Sequence, residues 1–140
     1  NQKGYQFDLS LLRSAGLAHD IARIQQDHGA VAADILQELG YQDEADIIRH
    51  HMHYPLAAHM DKLTACDLVC LADRLVIEDQ YVGLDKRFDY ILHKNENQAM
   101  AKEKILQAKA QTRKLLDEME AVLGQSIDSL FCPKQETTER

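Results

Sequence analysis

The spacing of apolar positions along the chain is helical almost throughout. Apolar residues recur at intervals of three and four, and no stretch alternates apolar and polar residues as a half-buried strand does. There are only two prolines, Pro55 and Pro133, and Pro55 must end a helix before it. The pattern predicts an all-α fold, with helices over about residues 9–20, 28–40, 43–53, 64–79 and 96–123 and a loop region over 81–95 with room for a short helix.

Capping residues mark several of the predicted helix ends. Asp8 or Ser10 is placed to accept hydrogen bonds from the first N–H groups of the first helix. Gly40 follows the second helix and suits the left-handed conformation in which many helices end. Thr64 with Asp67 three residues later has the capping-box pattern, which predicts that the fourth helix begins there.

The last predicted helix is longer than a small domain needs, at about 28 residues or roughly 40 Å. Its apolar stripe either packs along its own domain or forms a seam with a second copy or another domain, because 4-3 spacing is the coiled-coil period. We therefore expect a helical domain over residues 1–95, the long helix over 96–124 and a tail over 125–140, disordered from 133. The stripe consists of Ala101, Ile105, Ala108, Thr112, Leu115, Met119 and Val122.

Composition disfavours two classes of partner. Asp and Glu number 23 against 16 Lys and Arg, for a formal net charge of -7. Without a segregated basic face this charge repels a phosphate backbone, so nucleic acid is not expected as the main partner. Apolar runs are far shorter than the roughly 20 residues of a membrane span, so we expect a soluble chain with no membrane partner. Cys66, Cys70 and Cys132 cannot all pair, and no secretory signal precedes them, which predicts free thiols and a cytoplasmic location.

Asp73 occupies a position that demands a positive partner. Its helical neighbours three and four residues away are Val69, Cys70, Val76 and Ile77, so the carboxylate lies on an apolar stripe. An unpaired carboxylate in such surroundings is costly. The sequence therefore predicts a neutralising cation, either a basic side chain from another helix or a metal ion.

Several of the seven histidines also fall on apolar faces. His19 shares a face with Leu12 and Ala15 and precedes Asp20, while His28 and His50 lie on the apolar faces of the next two helices. A single histidine of this kind is usually a hydrogen-bonded core residue. Imidazoles and carboxylates converging from several helices are instead the ligand set of Zn²⁺, Mn²⁺ or Fe²⁺ in helical bundles. The coincidence favours a metal site.

These residues stand in an ordered series. Residues 15–23 read AGLAHDIAR, followed by HG at 28–29, IIRHH at 47–51 and LADRL at 71–75. Over about residues 9–77 the series resembles the HD-domain metal-dependent phosphohydrolase superfamily. The resemblance implies an HD-domain-like helical bundle in which His19, Asp20 and Asp73 hold the primary metal. In the two-metal branch His28 and His50 are added, and His51 either takes over the role of His50 or binds a further ion.

The series departs from the family pattern at its start. The superfamily's first metal-binding histidine lies on a helix before the His-Asp pair, and residues 1–18 contain no histidine. We expect this ligand to lie upstream of the present chain, in a preceding helix or a fused N-terminal domain. The alternative is a degenerate site.

The resemblance also implies a mechanism. The site would hold one or two divalent ions (Mn, Fe, Zn, Mg or Ni), and two are expected for this pattern. The two ions would be bridged by Asp20 and by a water that becomes hydroxide near neutral pH and attacks phosphorus in line. Two exposed loop histidines, His53 and His59, are candidates for proton transfer to the leaving group, whereas His93 is expected to have no specific role. The candidates for orienting the substrate phosphate are Arg23, Lys62, Arg74 and Arg87.

The function expected from the sequence is metal-dependent phosphohydrolysis. The substrate would be a nucleotide or another small phosphorylated compound, and the protein could form a homodimer through its long helix. Two other functions remain open at this point. One is a non-catalytic HD-like domain for regulation or interaction within a larger protein, and the other is an HD-type oxygenase with a di-iron centre, which uses nearly the same ligands.

Overall fold

A computed structural model describes residues 1–132 of the chain. The chain forms two compact units, one spanning Asn1–Asp73 and one beginning at Arg74, and each is described by itself. The first unit contains the helices α1 (Leu9–Ala18), α2 (His28–Glu38), α3 (Gln42–Ile48) and α4 (Ala65–Asp73), with 3₁₀ turns at His51–His53 and Met60–Lys62.

Local sequence signals explain where the first helices begin and end. The Asp8 side chain accepts hydrogen bonds from the backbone N–H groups of Ser10 and Leu11, so Asp8 is the residue that caps α1. Gly40 follows α2 with a φ of 90°, the left-handed conformation expected of it. Both ends were predictable because each depends on one residue type at one position.

Alanines form the contact between the first three helices. Ala15 of α1, Ala32 and Ala33 of α2 and Ala45 of α3 are all fully buried, with Ile48 beside them. Side chains this small let helix backbones approach closely, because the interaxial distance depends on the side chains at the contact. The helix ends that carry the predicted ligands are therefore held near one another.

A buried carboxylate fixes the start of α4. Asp67 is fully buried and accepts hydrogen bonds from the backbone N–H groups of Ala57 (2.7 Å) and Thr64 (2.8 Å) and from the Thr64 hydroxyl (2.6 Å). The Asp67 N–H in turn contacts the Thr64 hydroxyl at 3.3 Å. The predicted capping box is present, and it also ties the loop before α4 to the helix.

The second unit begins with a short hairpin. Strand β1 (Val76–Ile77) pairs antiparallel with β2 (Gln80–Tyr81), with Val76 opposite Tyr81 and Ile77 opposite Gln80. Glu78, in the turn, has a φ of 55°. The helices of this unit are α5 (Gly83–Lys94), α6 (Ala99–Leu123) and α7 (Ile127–Phe131).

The long helix α6 packs against α5. Thr112, Leu115 and Leu116 are its buried residues, and Leu84 and Phe88 are buried on α5. Three of the predicted stripe positions on α6, Ala101, Ile105 and Ala108, are half-buried, whereas Val122 is exposed. The helix ends at Gly124, whose φ is 74°.

The all-α prediction is confirmed, since strand is confined, within residues 1–132, to the two-residue strands of the hairpin. Several boundaries differ. The third helix ends at Ile48 instead of running to residue 53, because the Ile48 carbonyl accepts a hydrogen bond from the His51 ring instead of from the backbone. The fourth ends at Asp73 instead of 79, since the hairpin follows. The region predicted as a loop with room for a short helix contains the twelve-residue helix α5.

The last predicted segment also differs in part from the structure. The segment expected to be a tail from residue 125 contains the helix α7, whose Ile127 is buried and whose Ser126 caps its start. The expectation of disorder over residues 133–140 concerns positions outside the described range. Among the described residues, no helix is both long enough and apolar enough to cross a membrane.

Candidate metal centre

His19 stands at the end of α1 with its ring turned inward. Its Nδ1 atom lies 2.6 Å from the Gly16 carbonyl oxygen, so Nδ1 carries the proton and Nε2 is left with a lone pair. The Nε2 atom is buried and has no hydrogen-bond partner among residues 1–132. A histidine that ends a helix in this way directs an unprotonated ring nitrogen, which can bind a metal, toward the interior.

Two carboxylates face this lone pair. His19 Nε2 lies 3.6 Å from Asp73 Oδ1 and 3.8 Å from Asp20 Oδ1, too far for hydrogen bonds but close for charges. The neighbouring Asp73 carboxylate raises the pKa of His19, burial of the ring opposes this, and the Gly16 carbonyl and Asp20 add to the rise. A lone pair opposite two anions is unfavourable unless a proton or a cation lies between them.

Asp20 is central to the group of side chains. It follows α1 in the turn before α2, and its Oδ1 atom lies 3.1 Å from Nε2 of His28, the first residue of α2. Its other oxygen lies 3.8 Å from the Nε atom of Arg23. One oxygen of the carboxylate therefore faces two histidines, His19 and His28, and the other oxygen faces the guanidinium of Arg23.

His51 completes the group from the chain that follows α3. Its Nδ1 atom donates to the Ile48 carbonyl oxygen at 2.8 Å, so its Nε2 atom also keeps a lone pair. The ring lies 5.2 Å from the rings of both His19 and His28, perpendicular to the first and tilted by 57° to the second. Burial lowers the pKa of His51, so the ring is neutral and able to bind a metal at neutral pH.

The space for the His51 ring depends on Gly29. A Cβ atom at position 29 would lie 3.1 Å from His51 Nδ1 and 3.2 Å from the carbonyl oxygens of Ile48 and Arg49. These separations are tighter than ordinary carbon contacts. Sequence reasoning assigned no role to Gly29, although a glycine directly after an inward-facing histidine at a helix start is a signal of close approach.

His19, Asp20 and His51 each offer one ligand atom, and these three atoms lie within 4.8 Å of one another. The residues present fit a divalent metal ion, because neutral imidazole nitrogens and a carboxylate are its usual ligands and one of the nitrogens is buried without a partner. His28 and Asp73 adjoin the three through their contacts with Asp20 and His19.

The structure brings His51, and not His50, into this group. His50 is exposed at the point where the chain leaves α3, while His51 is 6% exposed. The spacing contained the signal: position 51 is four residues after Ile47 and three after Ile48, both buried, so it continues the face that the two isoleucines share. Sequence analysis placed His50 on that face and gave His51 as its substitute.

The basic residues proposed to bind phosphate lie in different places. Arg23 is beside Asp20, and more than half of its side chain is exposed. Lys62 is exposed in a 3₁₀ turn, 3.9 Å from Asp61. In the second unit, Arg74 donates to the Thr112 hydroxyl at 2.9 Å, and the Arg87 guanidinium lies over the Tyr90 ring. Exposed positions are also occupied by His53, His59 and His93.

Comparison with known proteins decides the family. The family model described as HD domain matches residues 2–77, more than half of the chain. The chain belongs to the HD domain family. Members of this family are usually metal-dependent phosphohydrolases that bind divalent metals. All five clustered residues lie within the matched range, namely His19, Asp20, His28, His51 and Asp73.

One relative of known sequence is similar to more than half of the chain. An uncharacterized protein of Methanocaldococcus jannaschii is 32% identical over 112 residues, with 66% of this chain and 66% of the relative covered. The chain thus spans just under two thirds of that relative's length. No solved structure matches the chain at a significant level.

Proposed function

We propose that this HD domain is a metal-dependent phosphohydrolase that cleaves a phosphoester or phosphoanhydride bond of a nucleotide or another small phosphorylated compound. The observation that carries the proposal is the buried His19 Nε2 atom, whose lone pair faces the oxygens of Asp20 and Asp73 without a hydrogen bond. A cation between these atoms turns an unfavourable arrangement into a favourable one. Family membership supports the same class of reaction.

Five side chains would hold the metal. His19, Asp20 and His51 have the closest set of ligand atoms, and His28 and Asp73 adjoin them for completing that site or holding a second ion. A divalent cation bound there supplies an acidified water molecule and positive charge for the phosphoryl oxygens. The hydrogen bonds at Nδ1 of His19 and His51 fix the ring orientation that each ligand needs.

Asp20 is the proposed catalytic residue. Its Oδ1 atom lies 3.8 Å from Nε2 of His19 and 3.1 Å from Nε2 of His28, so it can accept a proton from an attacking water inside the group. The Nε2 atom of His28 lies 3.1 Å from Asp20 Oδ1 and orients the carboxylate. Holding or moving this proton at Asp20 is the step that this chain's own side chains can perform.

Arg23 is the basic residue best placed for the substrate. Its Nε atom is 3.8 Å from Asp20 Oδ2, and 57% of its side chain is exposed, so its remaining N–H donors can reach a ligand in solvent. A guanidinium presents paired donors that match two phosphate oxygens. We therefore assign Arg23 the role of orienting the phosphoryl group for attack.

Metal analysis tests the proposal. Protein purified without chelator, and with any natural upstream segment included, is expected to carry manganese, iron, zinc, magnesium or nickel in near-stoichiometric amount by elemental analysis. A content far below one ion per chain after reconstitution with each metal would overturn the proposal and favour a non-catalytic domain. Two iron ions with an oxygen-dependent spectrum would favour an oxygenase instead.

A hydrolysis screen identifies the substrate class. Nucleotides, dinucleoside polyphosphates, cyclic dinucleotides and sugar phosphates are incubated with the metal-loaded protein and with an Asp73→Ala variant. Release of phosphate or nucleoside monophosphate by the wild type alone, with the helical circular dichroism of the variant retained, is the expected result. Equal hydrolysis by both proteins would contradict the proposed role of Asp73 in the metal site.

A further inference from the structure

Two cysteine thiols of α4 face each other one helical turn apart. The Sγ atoms of Cys66 and Cys70 are 3.9 Å apart, and neither cysteine forms a disulfide. Cys70 is almost fully buried, while Cys66 is half-buried and accessible to a small reagent. The metal group uses neither thiol as a ligand.

The helix places these residues close to disulfide range. Residues four apart on an α-helix have Cα atoms about 6.2 Å apart from the rise and radius of the helix. Disulfides join Cα atoms that are roughly 4.4–6.8 Å apart, with the two sulfurs about 2.05 Å from each other. The Cα atoms are therefore in range, but the Cβ atoms of residues four apart on a helix are about 5–6 Å from each other, whereas a disulfide needs about 3.5–4.5 Å. Closing the bond therefore requires a local distortion of α4 as well as rotation of the two side chains.

Both thiols also contact the chain that leads to His51. Cys66 Sγ donates to the Ile47 carbonyl oxygen at 3.1 Å, and Cys70 Sγ contacts the carbonyl oxygen of His51 itself at 3.6 Å. These contacts join α4 to the end of α3 and to the turn that presents the His51 ring. A change at the sulfurs is thus transmitted to the backbone of a proposed metal ligand.

We propose that Cys66 and Cys70 form a peroxide-sensitive dithiol whose oxidation to a disulfide weakens metal binding at His51. The thiolate of Cys66 attacks a peroxide oxygen, the O–O bond breaks, and the departing hydroxide takes up the proton that the Cys66 thiol released, so water leaves as a sulfenic acid forms on Cys66. The sulfur of Cys70 then attacks the Cys66 sulfur, the S–O bond breaks, and a second water leaves. Two thiols lose two electrons in total, and one hydrogen peroxide is reduced to two waters.

Cys66 is the attacking residue because it is the more accessible of the two. The contact with Cys70 lowers the pKa of the Cys66 thiol, which increases its thiolate fraction and agrees with this order of events. Cys70 lies behind it as the resolving thiol, 3.9 Å away. The pair therefore has the two parts that a reversible thiol switch needs.

Oxidation removes both S–H donors at once. The carbonyl oxygens of Ile47 and His51 then lose their sulfur contacts, and the closing sulfurs move toward each other and away from these oxygens. Loss of a contact that orients a metal ligand typically lowers metal affinity by 10–100-fold. The coupling to metal rests on the proposed function, whereas the dithiol chemistry stands without it.

Peptide mass analysis tests the dithiol itself. Trypsin releases residues 63–74, LTACDLVCLADR, as one peptide that contains both cysteines. After peroxide treatment of folded Cys132→Ser protein, this peptide is expected to lose the mass of two hydrogens and to regain it with dithiothreitol. Sulfinic acid on Cys66 with a reduced Cys70, or no reaction, would overturn the dithiol proposal.

Metal titration tests the coupling. The affinity of the same protein for Mn²⁺, measured by calorimetry, is expected to fall about tenfold or more on oxidation and to recover on reduction. A Cys66→Ser, Cys132→Ser variant cannot form the bond, and its affinity should not respond to peroxide. Unchanged affinity in the disulfide form would overturn the coupling. Failure of the reduced protein to bind Mn²⁺ would instead overturn the proposed metal site and the coupling with it, while the peptide result still decides the dithiol.

Discussion

Gly29 lies so close to His51 that a side chain at position 29 would crowd the imidazole ring. A Cβ at position 29 would lie 3.1 Å from His51 Nδ1, the atom that donates to Ile48. Gly29→Ala should therefore displace the ring by a few tenths of an ångström. We expect a loss of about 1–3 kcal/mol in the free energy of unfolding, as for other overpacked cores, together with weaker metal binding.

Gly16→Ala is the matched control for that substitution. Gly16 is inside α1, and a Cβ there meets no atom within 4 Å. The substitution keeps the backbone carbonyl of residue 16, which accepts a hydrogen bond from the His19 ring. Replacement of a helical glycine by alanine should stabilise the protein by about 0.4–1 kcal/mol. Urea unfolding and metal titration of both variants check the pair, and equal losses would show that Gly29 has no special steric role.

The adjacent histidines 50 and 51 allow a direct test of the ligand assignment. His51→Asn keeps a donor near the Ile48 carbonyl but removes the distant ring nitrogen, so metal content should fall sharply while the helical signal is retained. His50→Asn changes an exposed side chain and should leave metal content unchanged. Elemental analysis of the two variants after identical purification is the measurement. The reverse result would restore His50 as the ligand.

Metal-free protein should show a pH dependence that comes from His19. Its pKa is raised in the folded state, so the folded protein binds the proton more tightly than the unfolded chain does. This contribution to stability is complete below the unfolded pKa of about 6.5 and is lost as pH rises through the higher folded value.

The His19→Asn variant isolates this contribution. Urea unfolding in the presence of a chelator is measured from pH 5.5 to 9 for wild type and variant. The stability difference between the two should shrink as pH rises above about 6.5. A constant difference would mean that the carboxylates beside His19 do not hold its proton.

Arg23→Gln should weaken substrate binding with little effect on folding. The side chain is mostly exposed, so we expect a change in unfolding free energy within about 0.5 kcal/mol. KM for the substrate found in the screen should rise, because the variant lacks the guanidinium beside Asp20 that is proposed to bind the phosphoryl group. Lys62→Gln removes an exposed charge beside Asp61 and serves as the control. An equal rise in KM for both variants would indicate a general charge effect.

The sequence was most informative where one residue type decides one local conformation. Asp8, Gly40 and the Thr64–Asp67 box mark helix ends that the structure confirms. The hairpin after Asp73 was missed because strands of two residues are too short to show alternation. A cap can be predicted from a single residue, whereas a strand can be predicted only when it is long enough to show a repeating pattern.

The remaining differences arise from interactions across the fold. The third helix ends at Ile48 because a ring nitrogen of His51 captures the carbonyl of Ile48, and propensity contains no information on such competition. The helix α5 begins at a glycine with a φ of 78°, which obscured its start, although Leu84 and Phe88 already had helical spacing. For the candidate site, the sequence identified the types of the ligand residues and most of their positions. The choice between His50 and His51 depended on the course of the backbone after α3, which the sequence does not give.

The alanine contact between α1, α2 and α3 has a thermodynamic consequence. Methyl side chains bury little apolar area, so close approach of the helices contributes less hydrophobic free energy than larger side chains would. A cation that binds only the folded form adds RT ln(1 + [L]/Kd) to stability. The melting temperature of the first unit should thus climb with the free concentration of the metal it prefers, and a thermal shift series across metals would rank them without any substrate.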